Sequence, residues 1–272
     1  MRIGISGSSG FVGSFLFEHF KDHNPIAIKR DGERWILPDE PFDVVIHLAG
    51  ANIAKKRWSD SYKQVIYNSR IYGTRALAKA VQTKTFICAS AVGFYGNRGD
   101  EELSESSPRG SGFLADVAAT WEQTAHLVKA RVCLPRFGMV LGNGGALKRM
   151  LPLFKYCLGG HVGDGQQWMS WIHLEDLAHG IEHLIENESC EGPYNFCAEP
   201  VRNIEFSQAL ARILQKPCKL PVPAALIKFM LGEMGEALLL SSTRAHPKKL
   251  LESGFSFLYP TLDQALSKIL CT

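Results

Sequence analysis

None of the seven cysteines (Cys88, Cys133, Cys157, Cys190, Cys197, Cys218, Cys271) forms a C-x-x-C pair, and no close Cys/His quartet exists, which argues against structural zinc. The thiols read as reduced and mostly buried. Long runs of one charge are also missing. Lys plus Arg number 30 against 27 Asp plus Glu, so neither a nucleic-acid stripe nor a polybasic membrane patch is present. No uninterrupted apolar stretch is long enough to span a bilayer. The opening MRIGISGSSG already spells a strand and a glycine turn, leaving no room for the charged and apolar regions of a signal peptide. A cytoplasmic protein with a small-molecule substrate follows as the expectation, with no nucleic acid and no membrane among its partners; the sequence fixes no oligomeric state.

What is present is ordinary globular composition, 46% hydrophobic and 21% charged, over a length that suits one large α/β unit or a main domain with a smaller appendage. Strand-like runs alternate with helix-like ones: Arg2–Ser6, Pro25–Lys29, Val44–Leu48, Thr85–Ala89 and Arg131–Phe137 against helical stretches at Val12–Lys21, Ser59–Val81 and Phe113–Lys129. That order predicts a Rossmann-type doubly wound parallel sheet. Beyond Gly142 the pattern loosens, with helical stretches at Glu175–Glu186, Ile204–Leu214 and Ala224–Leu240. We therefore expect a nucleotide-binding domain over residues 1–160, to which later segments could return, and a smaller C-terminal substrate domain over 161–272. The proline-rich stretch Lys216–Pro223 reads as a connection inside the smaller domain.

Gly7-Ser8-Ser9-Gly10-Phe11-Val12-Gly13 follows a strand and opens a helix, the context a dinucleotide fingerprint requires. Gly7 and Gly10 would let the backbone turn and approach a pyrophosphate. Gly13 would let helix and strand pack closely, and the amides of Phe11 and Val12 at the helix N-terminus would face the phosphates. Where the second strand ends, an acidic residue usually meets a free ribose hydroxyl, yet this chain presents Lys29-Arg30 before Asp31. Cations there favour a 2′-phosphate, with Arg30 the better candidate, because a planar guanidinium makes two hydrogen bonds to phosphate and stacks on adenine. NADP is the expected cofactor, and Asp31 is the residue that argues against it.

With Gly7–Gly13, His47-Leu48-Ala49-Gly50 and Tyr95-Gly96 in order, the chain resembles an extended short-chain dehydrogenase/reductase. Four longer strings narrow the resemblance: LAGANIAKKRW (Leu48–Trp58), SAVGFYGNRGDE (Ser90–Glu101), GDGQQWMSWIHLEDL (Gly163–Leu177) and PKKLLESGF (Pro247–Phe255). They are similar to the atypical "epimerase family" branch, which includes the human SDR family 39 member and is sometimes labelled as cell-division inhibitors. No residue here supports that label. The resemblance implies that Leu48, Ala49 and Gly50 line the adenosine side of the cofactor. It puts Arg70 where extended members carry an Asn ahead of a Gly-Thr pair, here Gly73-Thr74. A cation at that place implies a phosphate contact, the alternative being an exposed helical Arg. Arg136 resembles the family's Arg at the edge of the nicotinamide site, the alternative being a packed ion pair.

The catalytic Tyr and Lys that the resemblance calls for are missing. Aligning on Glu122 puts Leu114 and Ala118 at their positions, and a shift by one gives Phe113 and Val117. Ser90 and Tyr95 remain as catalytic candidates after a strand that ends beside the nicotinamide, with Asp116 or Glu122 as a base if burial raises its pKa. Tyr95 would polarise a carbonyl, unless it merely packs the pocket. Trp168, Trp171 and His173 resemble a substrate-side wall that stacks on a flat or sugar-like ligand, unless they pack the two domains together. His179 and His183 share a helical face but lack a third ligand, so no metal is expected. Gly232–Glu236 and the basic turn Arg244–Lys249 read as a lid or domain-packing element. The overall expectation is an NADP-dependent oxidoreductase or nucleotide-sugar-type epimerase, the alternative being a non-catalytic NADP(H) sensor that docks a partner.

Overall fold

The structure, a computed structural model, describes residues 1–32, 34–218 and 220–271. In chain order the first half comprises β1 (Ile3–Ser6), α1 (Phe11–His19), β2 (Ile26–Asp31), β3 (Arg34–Ile36), β4 (Phe42–His47), α2 (Asp60–Ala80), β5 (Thr83–Cys88), β6 (Ser90–Ala91), β7 (Glu102–Leu103) and α3 (Phe113–Ala125). There follow β8 (Arg131–Phe137), β9 (Met139–Leu141), α4 (Gly145–Lys155), β10 (Trp168–Met169), β11 (Trp171–His173), α5 (Leu174–Glu186) and β12 (Gly192–Phe196). The chain ends with β13 (Val201–Arg202), α6 (Asn203–Ile213), α7 (Ala224–Leu231), α8 (Glu233–Gly235), β14 (Arg244–Ala245), α9 (Lys248–Glu252) and α10 (Leu262–Leu270).

The main sheet runs β12-β8-β5-β4-β1-β2-β3, parallel except for the β2–β3 hairpin, with β6 also pairing β8. Its central strands are buried on both faces, which is why they read as apolar runs without polar alternation. Successive residues nevertheless serve opposite layers. Val44 and Ile46 join Leu16, Leu177 and Ile181 of α1 and α5, whereas Val45 and Phe86 join Ile71, Leu77 and Trp121 of α2 and α3. Helices thus cover both faces, as expected of a doubly wound sheet.

The division at residue 160 does not follow the sheet. β12 forms its edge beside β8, α5 packs on it, and Leu250 and Phe255 enter the same core. Arg131 fixes this return by donating to the carbonyls of Leu184 and Ile185, which the end of α5 leaves without helical partners, and to those of Asn187 and Cys190 in the turn that follows. The smaller unit has its own core, in which Leu147 and Phe154 of α4 meet Trp171, Phe206, Leu210, Leu262 and Leu266. The helix expected over 224–240 is broken. Gly232 takes φ 58°, ends α7, and lets the chain turn into α8 and a π-turn over Glu236–Leu240. Within 216–223, Val222 bridges Val162, while Lys219 lies outside the described residues. Among the described residues no helix is long and apolar enough to cross a membrane.

Candidate functional site

The strand order reverses at β1, between β2 and β4, and ligands of open α/β sheets bind outside the carboxyl ends of strands at such a point. The loop Gly7–Gly10 lies there. Gly7 has φ 75°, and a Cβ on it would stand 2.9 Å from the Ala49 nitrogen. On Gly13 a Cβ would stand 2.1 Å from the Gly7 carbonyl oxygen, so no side chain fits between helix and loop. The Gly10 amide donates to the Gly7 carbonyl at 2.9 Å and closes the turn. No side chain caps α1, which leaves its first amides, those of Phe11 and Val12, without a side-chain partner at the loop. The Phe11 ring points elsewhere: it packs on Gly142, Gly144 and Gly145, and at Gly144 it would stand 2.4 Å from a Cβ, leaving no room for one. Of Phe11, only the backbone faces the Gly7–Gly10 loop.

Strand alternation separates the two cations at the end of β2. Arg30 pairs across the hairpin with Trp35, its guanidinium 5.2 Å from that ring, while Lys29 pairs with Ile36 on the opposite face. Lys29 and Arg30, both expected at the nucleotide, thus lie on opposite faces of the hairpin, and only Arg30 is held against Trp35. Trp35 in turn donates from Nε1 to the Gly73 carbonyl at 2.9 Å, and the Arg30 head lies beside Gly73, 3.5 Å from where a Cβ would be. Leu48 packs against both core layers, and Ala49 and Gly50 follow it at the mouth of the cleft.

Arg70 is not an exposed helical Arg. It lies over the Trp121 ring at 5.1 Å and donates from Nη1 to the Ala51 and Ile66 carbonyls, and a Cβ on Gly50 would stand 3.1 Å from its Cζ. Burial lowers its pKa to about 10, and among the described residues it forms no salt bridge. Its visible role is to pin the 50–51 turn at the cleft. Beneath the cleft runs a buried chain that the sequence reading missed: Ser6 Oγ to His47 Nδ1 at 2.6 Å, His47 Nε2 to Thr74 Oγ1 at 2.8 Å, and Trp121 Nε1 to Thr74 Oγ1 at 2.8 Å. Burial, with Arg30 and Arg70 nearby, pushes His47 down to about 3, so its ring is neutral.

The expected catalytic residues form a second buried network. Arg136 grips Glu122 with Nε and Nη2, each at 2.8 Å from a different carboxylate oxygen, and its Nη1 donates to the Tyr95 oxygen at 2.8 Å. Ser90 Oγ donates to Glu122 at 2.6 Å. The Tyr95 proton lies between Asn195 Oδ1 at 2.7 Å and the Ser104 carbonyl at 3.0 Å. Tyr95 has no solvent exposure, Ser90 and Arg136 have 3% each, and burial pushes the phenol up to about 12. Ser90 and Tyr95 are thus buried with their protons directed to partners inside the protein, contrary to the expectation of an open catalytic pair, and of the two readings for Arg136 the structure has the packed ion pair. Asp116 is a surface charge paired with Arg109 at 2.6 Å.

The aromatic wall dissolves in the same way. Trp171 is fully buried in the smaller core and donates to the Glu199 carbonyl, and His173 caps α5 through Nδ1 with its ring 4.2 Å from that of Tyr259. Trp171 thus packs inside the smaller core, and His173 joins α5 to Tyr259. Trp168 keeps an accessible edge between the guanidinium groups of Arg202 and Arg244, at 4.2 and 4.4 Å, and donates to Asp100.

Residues 3–197 match the model of the NAD dependent epimerase/dehydratase family. The chain belongs to that family. Residues 222–269 match a further model, a domain of unknown function, and include both α10 of the smaller unit and the Leu250 and Phe255 that enter the main core. The chain is 39% identical to epimerase family protein ML0860 of Mycobacterium leprae, over 97% of this chain and 94% of that one. It is 36% identical to epimerase family protein YfhF of Bacillus subtilis, over 99% and 98%. Among solved structures it resembles human epimerase family protein SDR39U1 (isoform 2) with NADPH, at a TM-score of 0.91 and 29% identity over 99% of both chains. Within this family it is of the epimerase family branch, as the four sequence strings imply.

Proposed function

We propose that this epimerase family protein binds NADP(H) in the cleft above β1 and β4 and works as an oxidoreductase, or as an epimerase that oxidises and re-reduces its own substrate. The observation that carries the reading is the glycine cradle at Gly7, Gly10 and Gly13, in which backbone leaves no room for a side chain at Gly7 or Gly13, with Arg30 held against Trp35 at the end of β2. The human protein described with NADPH, similar over its whole length, supports the same choice of nucleotide.

In this reading the bound nicotinamide supplies hydride transfer. The chain's residues supply the rest. The amides of Phe11 and Val12 receive the pyrophosphate, the Arg30 guanidinium receives the 2′-phosphate, and Leu48 and Ala49 present a small apolar surface to the adenosine. Arg70 holds the turn at Gly50 and Ala51 that shapes this surface. Ser90, Tyr95, Glu122 and Arg136 fix the floor of the cleft and hold no proton at a substrate atom.

The missing Tyr and Lys favour a second reading, a nucleotide-bound sensor. Leu114 lies near Gly93, and Ala118 and Val117 are buried, so no ionisable pair stands at those positions. The two readings part in one experiment. The NADPH-loaded protein is presented with panels of carbonyl compounds and nucleotide sugars. Nicotinamide absorbance reports net reduction, and product analysis reports epimerisation. Conversion of any class of substrate supports the enzyme, and none across both panels overturns it in favour of the sensor.

A further inference from the structure

We propose that His19, His179 and Glu182 form a divalent-metal site of the Zn(II), Co(II) or Ni(II) class that ties α1 to α5. The sequence offered only His179 and His183 on one face of a helix, two imidazoles without a third ligand. The fold splits that pair. His183 turns to Ser253, 2.8 Å from its hydroxyl, and packs against Phe255. His179 turns the other way, toward α1, where its ring centroid lies 5.4 Å from that of His19. Glu182, one turn along α5 from His179, brings a carboxylate oxygen to 3.3 Å from His19 Nε2. One ligand atom from each of the three lies within 4.8 Å of the others.

Two imidazole nitrogens and one carboxylate oxygen are the donors that borderline divalent cations take, and three protein ligands leave a fourth position for water. Ligands at about 2.1 Å from a tetrahedral ion stand about 3.4 Å from one another. The His19–Glu182 separation, 3.3 Å, is close to that value, and with every separation within 4.8 Å the His179 nitrogen has at most about 1.4 Å to close. All three residues are half-buried, so an ion reaches the site from solvent without opening the core. α1 is the helix whose other end faces the phosphate cradle, and α5 is anchored by Arg131, so the metal braces the cradle's helix against a fixed neighbour.

The test uses the full chain without a polyhistidine tag, titrated with Co(II) by absorbance and with Zn(II) by calorimetry. The proposal expects one equivalent of saturable binding and a four-coordinate Co(II) spectrum without thiolate charge transfer. It also expects a Zn(II)-dependent rise in Tm. His19→Ala and His179→Ala should each weaken the site by at least about tenfold, since even outer-sphere losses cost that much. His183→Ala, altered on the same helix but outside the site, should bind as the parent does. No saturable binding overturns the proposal, as does binding unchanged in both ligand variants. So does a thiolate charge-transfer band, which would put the metal on the exposed Cys157 or Cys271.

Discussion

Arg136 and Glu122 meet in a two-pronged ion pair with both side chains almost wholly removed from solvent. Such a pair contributes little relative to an apolar replacement of both, but removing one partner strands the other charge. Arg136→Met should therefore cost about 3–5 kcal/mol in urea unfolding. A loss under about 1 kcal/mol would mean that the Glu122 carboxylate finds water or another donor, and that the network is not the floor described here.

Tyr95 belongs to the same network, and its hydroxyl is expected to matter to stability. Tyr95→Phe leaves Arg136 Nη1 and Asn195 Oδ1 without this partner and should cost about 1–3 kcal/mol, with nucleotide affinity unchanged. A variant as stable as the parent that loses substrate conversion would return Tyr95 to a catalytic role.

The cradle is tested by adding one methyl group. Gly13→Ala places a carbon where the Gly7 carbonyl oxygen leaves no space, whereas at Gly10 the nearest atom to a Cβ is the same oxygen at 3.2 Å. Gly13→Ala should lose about 1–3 kcal/mol of stability and most of its nucleotide affinity, and Gly10→Ala distinctly less of both. Equal effects in the two variants, read by thermal unfolding and nucleotide titration, would contradict the geometry.

Buried His47 makes the fold sensitive to acid. Its pKa is depressed in the folded protein to about 3 from an ordinary 6.5, so between these values the unfolded chain binds a proton that the folded chain refuses. The contribution is fully present above pH 6.5 and is lost as pH falls toward 3, by about 5 kcal/mol at most. His47→Asn should flatten the stability profile in that window relative to the parent, after the shared slope of the carboxylates is subtracted. Parallel profiles would show that His47 becomes charged in place.

The sheet and the cradle were legible because each rests on local pattern. Apolar runs mark strands buried on both faces, and glycines at 7, 10 and 13 are needed wherever a helix must approach its own preceding turn. The return of β12 to the sheet was visible only as a possibility, since strand pairing between Gly192–Phe196 and Cys133–Phe137 leaves no mark on either segment alone. Site roles failed where burial decided them. Trp171, His173, Tyr95 and Ser90 have side chains that suit a ligand as well as a core, and only the fold shows that Glu199, Glu175, Asn195 and Glu122 already engage them. Arg30 against Trp35 depended on a three-residue strand too short for any periodicity. The His19–His179 meeting joins residues of two helices that no sequence spacing relates.

The central claim is that Arg30 selects a phosphorylated nicotinamide nucleotide at the mouth of the glycine cradle. Titration of the parent and Arg30→Ala with NADPH and NADH, followed by cofactor fluorescence, tests it most directly. The account predicts that NADPH binds the parent more tightly than NADH, and that the variant loses about 1.5–3 kcal/mol, tenfold or more, for NADPH alone. Equal affinity for the two nucleotides, unchanged by the substitution, would contradict the phosphate contact, and binding of neither would remove the nucleotide from the cleft.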